Sequence, residues 1–318
     1  MIDYQIFERN LNNSIFYHNS SHRAHSFLQN DKKTMCQITT EFMKIRHACS
    51  RNETAAMNTQ ALRENYLIES LFKENHVELV YSHSDRMVVG GVMPQNESIL
   101  LPNTEGLKAH YFLERRELGI MNLGGSGTVK ADGETYPMNK LDCLYIGKGT
   151  QNVHFSSDHA LNPARFFLLS CPAHLTYPTV LMSQEVATPA HLGAVETANQ
   201  RTIYKYIHPD GTLSCQLVMG FTVLQNGSVW NTMPAHTHDR RMEVYCYFDI
   251  PENQGVLHLM GEPTETRHLW IQNHQAIISP PWSIHSGCGT ANYAFIWGMA
   301  GENQAFADMD FVAVNELL

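Results

Sequence analysis

From Val77 onward the chain is written in short apolar runs broken by Gly, Pro, Asn and Asp. VELVYSH, RMVVGGVMP, ELGIMNLGG, GTVKADGETYPM, CLYIGKG and ARFFLLS follow one another in the first part. The same texture resumes after residue 200 with CQLVMGFTVLQNGSVWN, MEVYCYFDI, GVLHLMG, TRHLWIQN, QAIISPP and YAFIWGM. Runs this short, punctuated by turn residues, predict strands of a sandwich or barrel. Asp132-Gly133 between two alternating runs predicts a hairpin with a two-residue turn. One stretch has a helical period instead. In 57–75, MNTQALRENYLIESLFKEN, Asn58 or Thr59 is placed to cap and Leu62, Tyr66, Ile68, Leu71 and Phe72 form a stripe. That predicts one helix of about four turns.

Two segments lack either period. Residues 1–42 are rich in Asn, Ser, His and Gln and read as a loosely ordered extension, or as a non-native start ahead of Met43. Residues 172–200 hold Pro172, Pro178 and Pro189 and read as a connector. The expected fold is therefore all-β, a duplicated pair of barrels or jelly rolls with a short N-terminal helix. The expected halves are 43–180 and 181–318. Setting Arg115-Arg116 on Arg240-Arg241 aligns the two, with Glu114 on Asp239 and Leu118 on Glu243. LYIGKG (144–149) likewise resembles IISPPW (277–282).

Charge and composition narrow the function. The formal net charge is −9 and no Lys- or Arg-rich run occurs, which argues against nucleic acid as a partner. No apolar stretch approaches the roughly 18 residues that span a membrane, and the first residues lack the pattern of a secretory signal. The 7 cysteines are scattered and never form C-x-x-C, which suits free thiols in a reducing compartment, so a cytoplasmic location is expected. Gly147-Lys148-Gly149-Thr150 lacks the upstream glycine of a phosphate loop, since position 142 is Asp, and no G-x-S-x-G occurs.

The chemistry concentrates in HTHDRRMEVYCYFD. Side chains two apart on a strand share a face, so His236 and His238 present two imidazoles side by side. Glu243 lies an odd number of residues away, so the polar DRR must turn or bulge before it joins them. Beyond that break, alternation places Arg241, Glu243, Tyr245 and Tyr247 on the face that would line a barrel, with Met242, Val244, Cys246 and Phe248 on the other. His285, after the proline turn in SPPWSIH, is the fourth candidate ligand. Three imidazoles and a carboxylate suit Zn²⁺, Fe²⁺, Mn²⁺, Ni²⁺ or Co²⁺, and ligand type alone does not choose among them.

H-x-H, a glutamate and a later histidine in a β-rich chain resemble the cupins. Longer runs, among them LRENYLIESLF, VYSHSDRMVVGGVMP, YFLERRELGIMNLGGSGT, NTMPAHTHDRRMEVYCYFD, AIISPPWSIHSGCGT and YAFIWGMAGENQAFADMD, resemble the 5-keto-4-deoxyuronate isomerases, also called 4-deoxy-L-threo-5-hexosulose-uronate ketol-isomerases. The likeness runs from about Met43 to the C-terminus. It implies a bicupin with one zinc per chain on His236, His238, Glu243 and His285, assembled as a homo-oligomer, a hexamer in that family. It also implies conversion of 5-dehydro-4-deoxy-D-glucuronate to 3-deoxy-D-glycero-2,5-hexodiulosonate in pectin and uronate breakdown. Such a reaction needs a base and a cation for the substrate carboxylate. Tyr247, Lys205 and Arg241 are the expected catalytic residues, with Tyr245, Arg201 and Arg240 as alternatives.

Overall fold

The computed structural model describes residues 43–187 and 189–318, and the reading of residues 1–42 lies outside them. Each half of residues 43–318 pairs a seven-stranded sheet with a four-stranded one. In the N-terminal half the large sheet runs through Val77–Ser82, Val88–Val92, Phe166–Pro172, Arg116–Asn122 and Cys143–Ile146. In the C-terminal half the matching order is Arg201–Ile207, Val218–Leu224, Ala294–Gly301, Arg241–Phe248 and Ala276–Ser279. This is the duplicated β architecture expected from the strand texture.

Pairing confirms the internal alignment residue by residue. Leu118 stands opposite Ile146 in one half, and Glu243 stands opposite Ser279 in the other. Arg116 opens its central strand opposite Pro172, and Arg241 opens its own opposite Gly301. The hairpin at Asp132-Gly133 also forms. Both residues have positive φ, 44° and 95°, and Ala131 pairs directly with Glu134.

The two large sheets pack against each other. Met121, Tyr145, Phe167 and Leu169 from one meet Met219, Phe221, Val244 and Phe248 from the other in a single buried cluster. The outward face of Arg241–Phe248 is therefore covered by the other half, which is why all 8 of its residues are buried. Gly119 sits at this seam, where a Cβ would come within 2.7 Å of Met219 Sδ.

The expected boundaries and helix need correction. Within 57–75 only Thr59–Tyr66 is helical, about two turns rather than four, and another short helix, Arg51–Ala55, precedes it. Asn58 caps Thr59–Tyr66, its side chain accepting from Ala61 N at 2.9 Å. The helix stops because Leu67–Ile68 instead joins the edge of the C-terminal sheet, paired with Ala276 and Ile277. The first helix is opened by Ser50 and Glu53, which satisfy each other's backbone N–H groups. Leu62, Tyr66 and Leu67 pack with Tyr245, Ile271 and Ile277, so this segment belongs with the C-terminal half. Conversely, Val180–Met182 pairs with Cys143–Ile146 and completes the N-terminal sheet. The halves exchange segments, and a cut at 180 would split a strand.

Candidate metal centre

His236, His238, Glu243 and His285 offer one ligand atom each, all within 4.8 Å of one another, and all four are buried. They come from three pieces of chain. His236–Thr237 is a two-residue strand paired with Asp310–Phe311, Glu243 lies on Arg241–Phe248, and His285 directly precedes Ser286–Gly289. The anticipated turn between His238 and Glu243 is present, with Arg241 N donating to His238 O at 3.0 Å.

The hydrogen bonding fixes which ring atoms face inward. His238 Nδ1 lies 2.9 Å from Arg241 O and His285 Nδ1 lies 3.3 Å from Ser283 O. A carbonyl only accepts, so Nδ1 carries the proton on both rings and each Nε2 presents a lone pair. Those lone pairs converge on Glu243 Oε2, at 3.1 Å from His238 Nε2 and 2.9 Å from His285 Nε2, while His285 Nε2 and His236 Nε2 are 3.0 Å apart. Facing lone pairs around a buried carboxylate repel one another unless a cation sits among them. The donor set therefore fits a divalent metal.

Electrostatics agree. Burial, then the neighbouring His285, holds His236 down to about 3, so the ring is neutral. Burial alone would raise the Glu243 carboxyl, but positive charge beside it, from His285 and His238 when protonated or from a metal in place of those protons, keeps it well below its ordinary value. Glu243 is thus an anion.

The histidine–glutamate cluster opens on a cavity of about 240 Å³. Its wall includes Arg201, Thr222, Thr232, Tyr245 and Trp297, with Phe306, Met309 and Phe311 from the C-terminal segment. Parity correctly brings Arg241, Glu243 and Tyr245 to this face, but the expected roles shift. Arg241 is fully buried and spends its guanidinium on Asn303 Oδ1 at 3.2 Å, Asp308 O at 3.1 Å and Ala305 O. Arg240 takes Asp308 at 2.8 Å and Asp310 at 2.9 Å. The arginine pair therefore ties down the C-terminal segment that walls the cavity. Arg201 is the other guanidinium on the cavity. Its Nη1 reaches Asn199 O at 2.9 Å.

Tyr247 does not line this cavity. It sits deeper in the barrel, its hydroxyl 2.7 Å from His258 Nδ1 and its ring packed on Tyr293 and Phe295. Tyr245 is the tyrosine at the site, 5.5 Å from the His285 ring and with its hydroxyl 2.9 Å from Thr232 Oγ1. Lys205 also lies outside, its Nζ 4.9 Å from the centre of the Phe306 ring, facing a separate cavity with His208 and Asp210. Sequence reasoning missed Asp85, whose carboxylate accepts from Met242 N at 2.8 Å.

Residues 66–314 match the model of the KduI/IolB family. The chain belongs to that family. It is 54% identical over 275 residues to the 4-deoxy-L-threo-5-hexosulose-uronate ketol-isomerase of Shouchella clausii, covering 86% of this chain and 100% of that protein. The enzyme of the same name from Caldicellulosiruptor bescii is 52% identical with the same coverage. Ketol-isomerases are enzymes of the isomerase class. Among solved structures, an IolB-like protein from Salmonella typhimurium shares the fold with a TM-score of 0.63 and 15% identity, covering 78% of this chain and 97% of that one. Bacillus subtilis oxalate decarboxylase shares it with a TM-score of 0.52 and 9% identity over 79% of this chain and 80% of that one. Both likenesses concern the fold alone.

Proposed function

We propose that this KduI/IolB family member is a metal-dependent ketol-isomerase that converts 5-dehydro-4-deoxy-D-glucuronate to 3-deoxy-D-glycero-2,5-hexodiulosonate in the breakdown of pectin or related uronates. The observation that carries this reading is a buried three-histidine, one-glutamate cluster opening on a small cavity that also holds a guanidinium. Identity over the full length of the ketol-isomerase relatives supports the substrate. We take the metal to be Zn²⁺, one per chain, held by His236, His238, Glu243 and His285. The same reading places the enzyme in the cytoplasm as a homo-oligomer, a hexamer by its resemblance.

The reaction moves a carbonyl from C1 to C2. The C2 proton leaves, an enediolate forms, and a proton returns at C1. A bound divalent ion supplies Lewis acidity that lowers the cost of the negative charge on those oxygens. Arg201 holds the substrate carboxylate through its planar fork, because Arg241 is already committed to the C-terminal segment. Glu243 is the carboxylate on the cavity wall, and its Oε1 takes no hydrogen bond among the described residues. That oxygen carries the proton from C2 to C1. Burial, then the Glu243 charge, raises the Tyr245 hydroxyl well above its ordinary value, so it stays protonated and donates to the developing oxyanion. Phe306, Trp297 and Phe311 exclude water from the enediolate.

Turnover in D₂O followed by proton NMR tests the route. Deuterium entering at C6 of the diketo acid, the substrate's former aldehyde carbon, supports proton exchange through Glu243. Absence of turnover of this substrate contradicts the assignment, and turnover with no deuterium at that carbon contradicts an exchangeable carboxylate.

A further inference from the structure

The Arg-Arg pair of the metal half has a counterpart in the N-terminal half, and the two differ in one respect. Arg240 is neutralised by Asp308 and Asp310. Arg115, its structural equivalent, meets only the carbonyl oxygens of Leu107 at 3.0 Å and Lys108 at 2.6 Å. Arg116 is 6% exposed and donates to Ser170 Oγ at 3.1 Å, Ser170 O at 2.6 Å and Arg86 O at 2.6 Å, all neutral acceptors. Among the described residues no carboxylate forms an ion pair with Arg86, Arg115 or Arg116. Three arginines without a close carboxylate partner among the described residues sit together on a chain whose net charge is −9, with Asp85 acting on Arg86 only at longer range.

They line one cavity of about 240 Å³ with Tyr81, Leu107, Ala109, Phe112 and Pro172. This is the mouth of the N-terminal half, where Arg116 and Pro172 pair as Arg241 and Gly301 do beside the metal cavity. Donors remain free there. Arg116 Nη1, Arg115 Nε and Nη1, and the whole Arg86 guanidinium bond nothing among the described residues. Arg116 is held in place by its carbonyl contacts and lies 5.9 Å above the Tyr81 ring.

We propose that this cavity binds a small carboxylate ligand of sugar-acid size. Arginine forks match a carboxylate in a bidentate way. Leu107, Ala109, Phe112 and Pro172 make the remainder of the wall apolar, which suits a ligand with a carbon skeleton behind its anionic end rather than a bare inorganic ion. The proposal does not depend on the activity assigned to the metal half.

Isothermal titration of the full-length protein with D-glucuronate tests it, using Arg86→Gln/Arg115→Gln and, separately, His285→Ala. Both arginines are exposed, so the double variant keeps its core. We expect a binding event that survives His285→Ala, weakens about tenfold or more in the double glutamine variant, and is only partly recovered in Arg86→Lys/Arg115→Lys, which keeps the charge but not the fork. A double glutamine variant that titrates like the parent overturns the proposal. So does a double glutamine variant with unchanged glucuronate binding but a smaller mass by light scattering, since the arginines would then serve a carboxylate of a second copy.

Discussion

Asp85, at the tip of a hairpin in the N-terminal half, accepts a hydrogen bond from the backbone of Met242, the residue before the candidate ligand Glu243. The N-terminal half thus supports the strand that carries Glu243 of the candidate metal cluster. Asp85 sits in a left-handed turn, with φ of 46°, followed by Arg86 at 54°. That conformation aims the carboxylate at the neighbouring half. We expect Asp85→Ala to weaken metal affinity by about tenfold, the low end for a group that orients a ligand. Competition against a chelator measures it. Unchanged affinity would reduce the contact to simple packing.

The two barrel-lining tyrosines should separate cleanly. Tyr245→Phe removes the hydroxyl on the cavity, and we expect turnover to fall by about a hundredfold with metal content intact. Tyr247→Phe leaves His258 Nδ1 unpartnered in the core. We expect it to cost about 1–3 kcal/mol of stability while changing kcat by no more than a few-fold. Steady-state kinetics and denaturant unfolding on both variants check this. Equal kinetic losses would place Tyr247 back in the reaction.

That contrast marks how far the sequence alone could be read. HTHDRRME and the later His285 were legible because ligand spacing and strand parity are local properties. Parity gives a face but not a depth, so Tyr245 and Tyr247 looked alike. The engagement of the Arg241 guanidinium is not legible for a different reason. Its partners, Asn303, Ala305 and Asp308, lie some sixty residues away, and nothing near Arg241 signals their arrival. Lys205 lies where the ladder with Val218–Leu224 loses register, so simple alternation did not fix its direction. The exchange of Leu67–Ile68 and Val180–Met182 between halves is long-range pairing, which leaves no trace in either segment.

The Arg240 pair offers a test of the cavity wall. Arg240 joins Asp308 and Asp310 near the surface, and its removal frees the segment bearing Phe306, Met309 and Phe311. We expect Arg240→Ala to raise KM several-fold with one metal per chain retained. High salt should mimic part of the effect in the parent protein, because exposed pairs are screened. A variant with unchanged KM would show that the segment holds its place without the pair.

His274 should shape the acid limit of stability. Burial, then the nearby Arg165, holds its imidazole down to about 4. The unfolded chain binds this proton near the ordinary value, so between the two the unfolded state carries more protons. Stability is full above about pH 6.5 and falls as pH drops toward 4, by up to roughly 3 kcal/mol. His274→Asn should flatten that part of the curve. Urea unfolding from pH 7 to pH 4 shows it, and parallel curves for the two proteins would contradict the assignment.

The most direct measurement is metal content and isomerase turnover on one purified sample, before and after chelation and re-addition. We expect about one zinc per chain, turnover lost with the metal and regained with it, and both lost in His285→Ala. Full turnover of the deoxyuronate by metal-free protein would contradict the four-ligand centre and the function built on it.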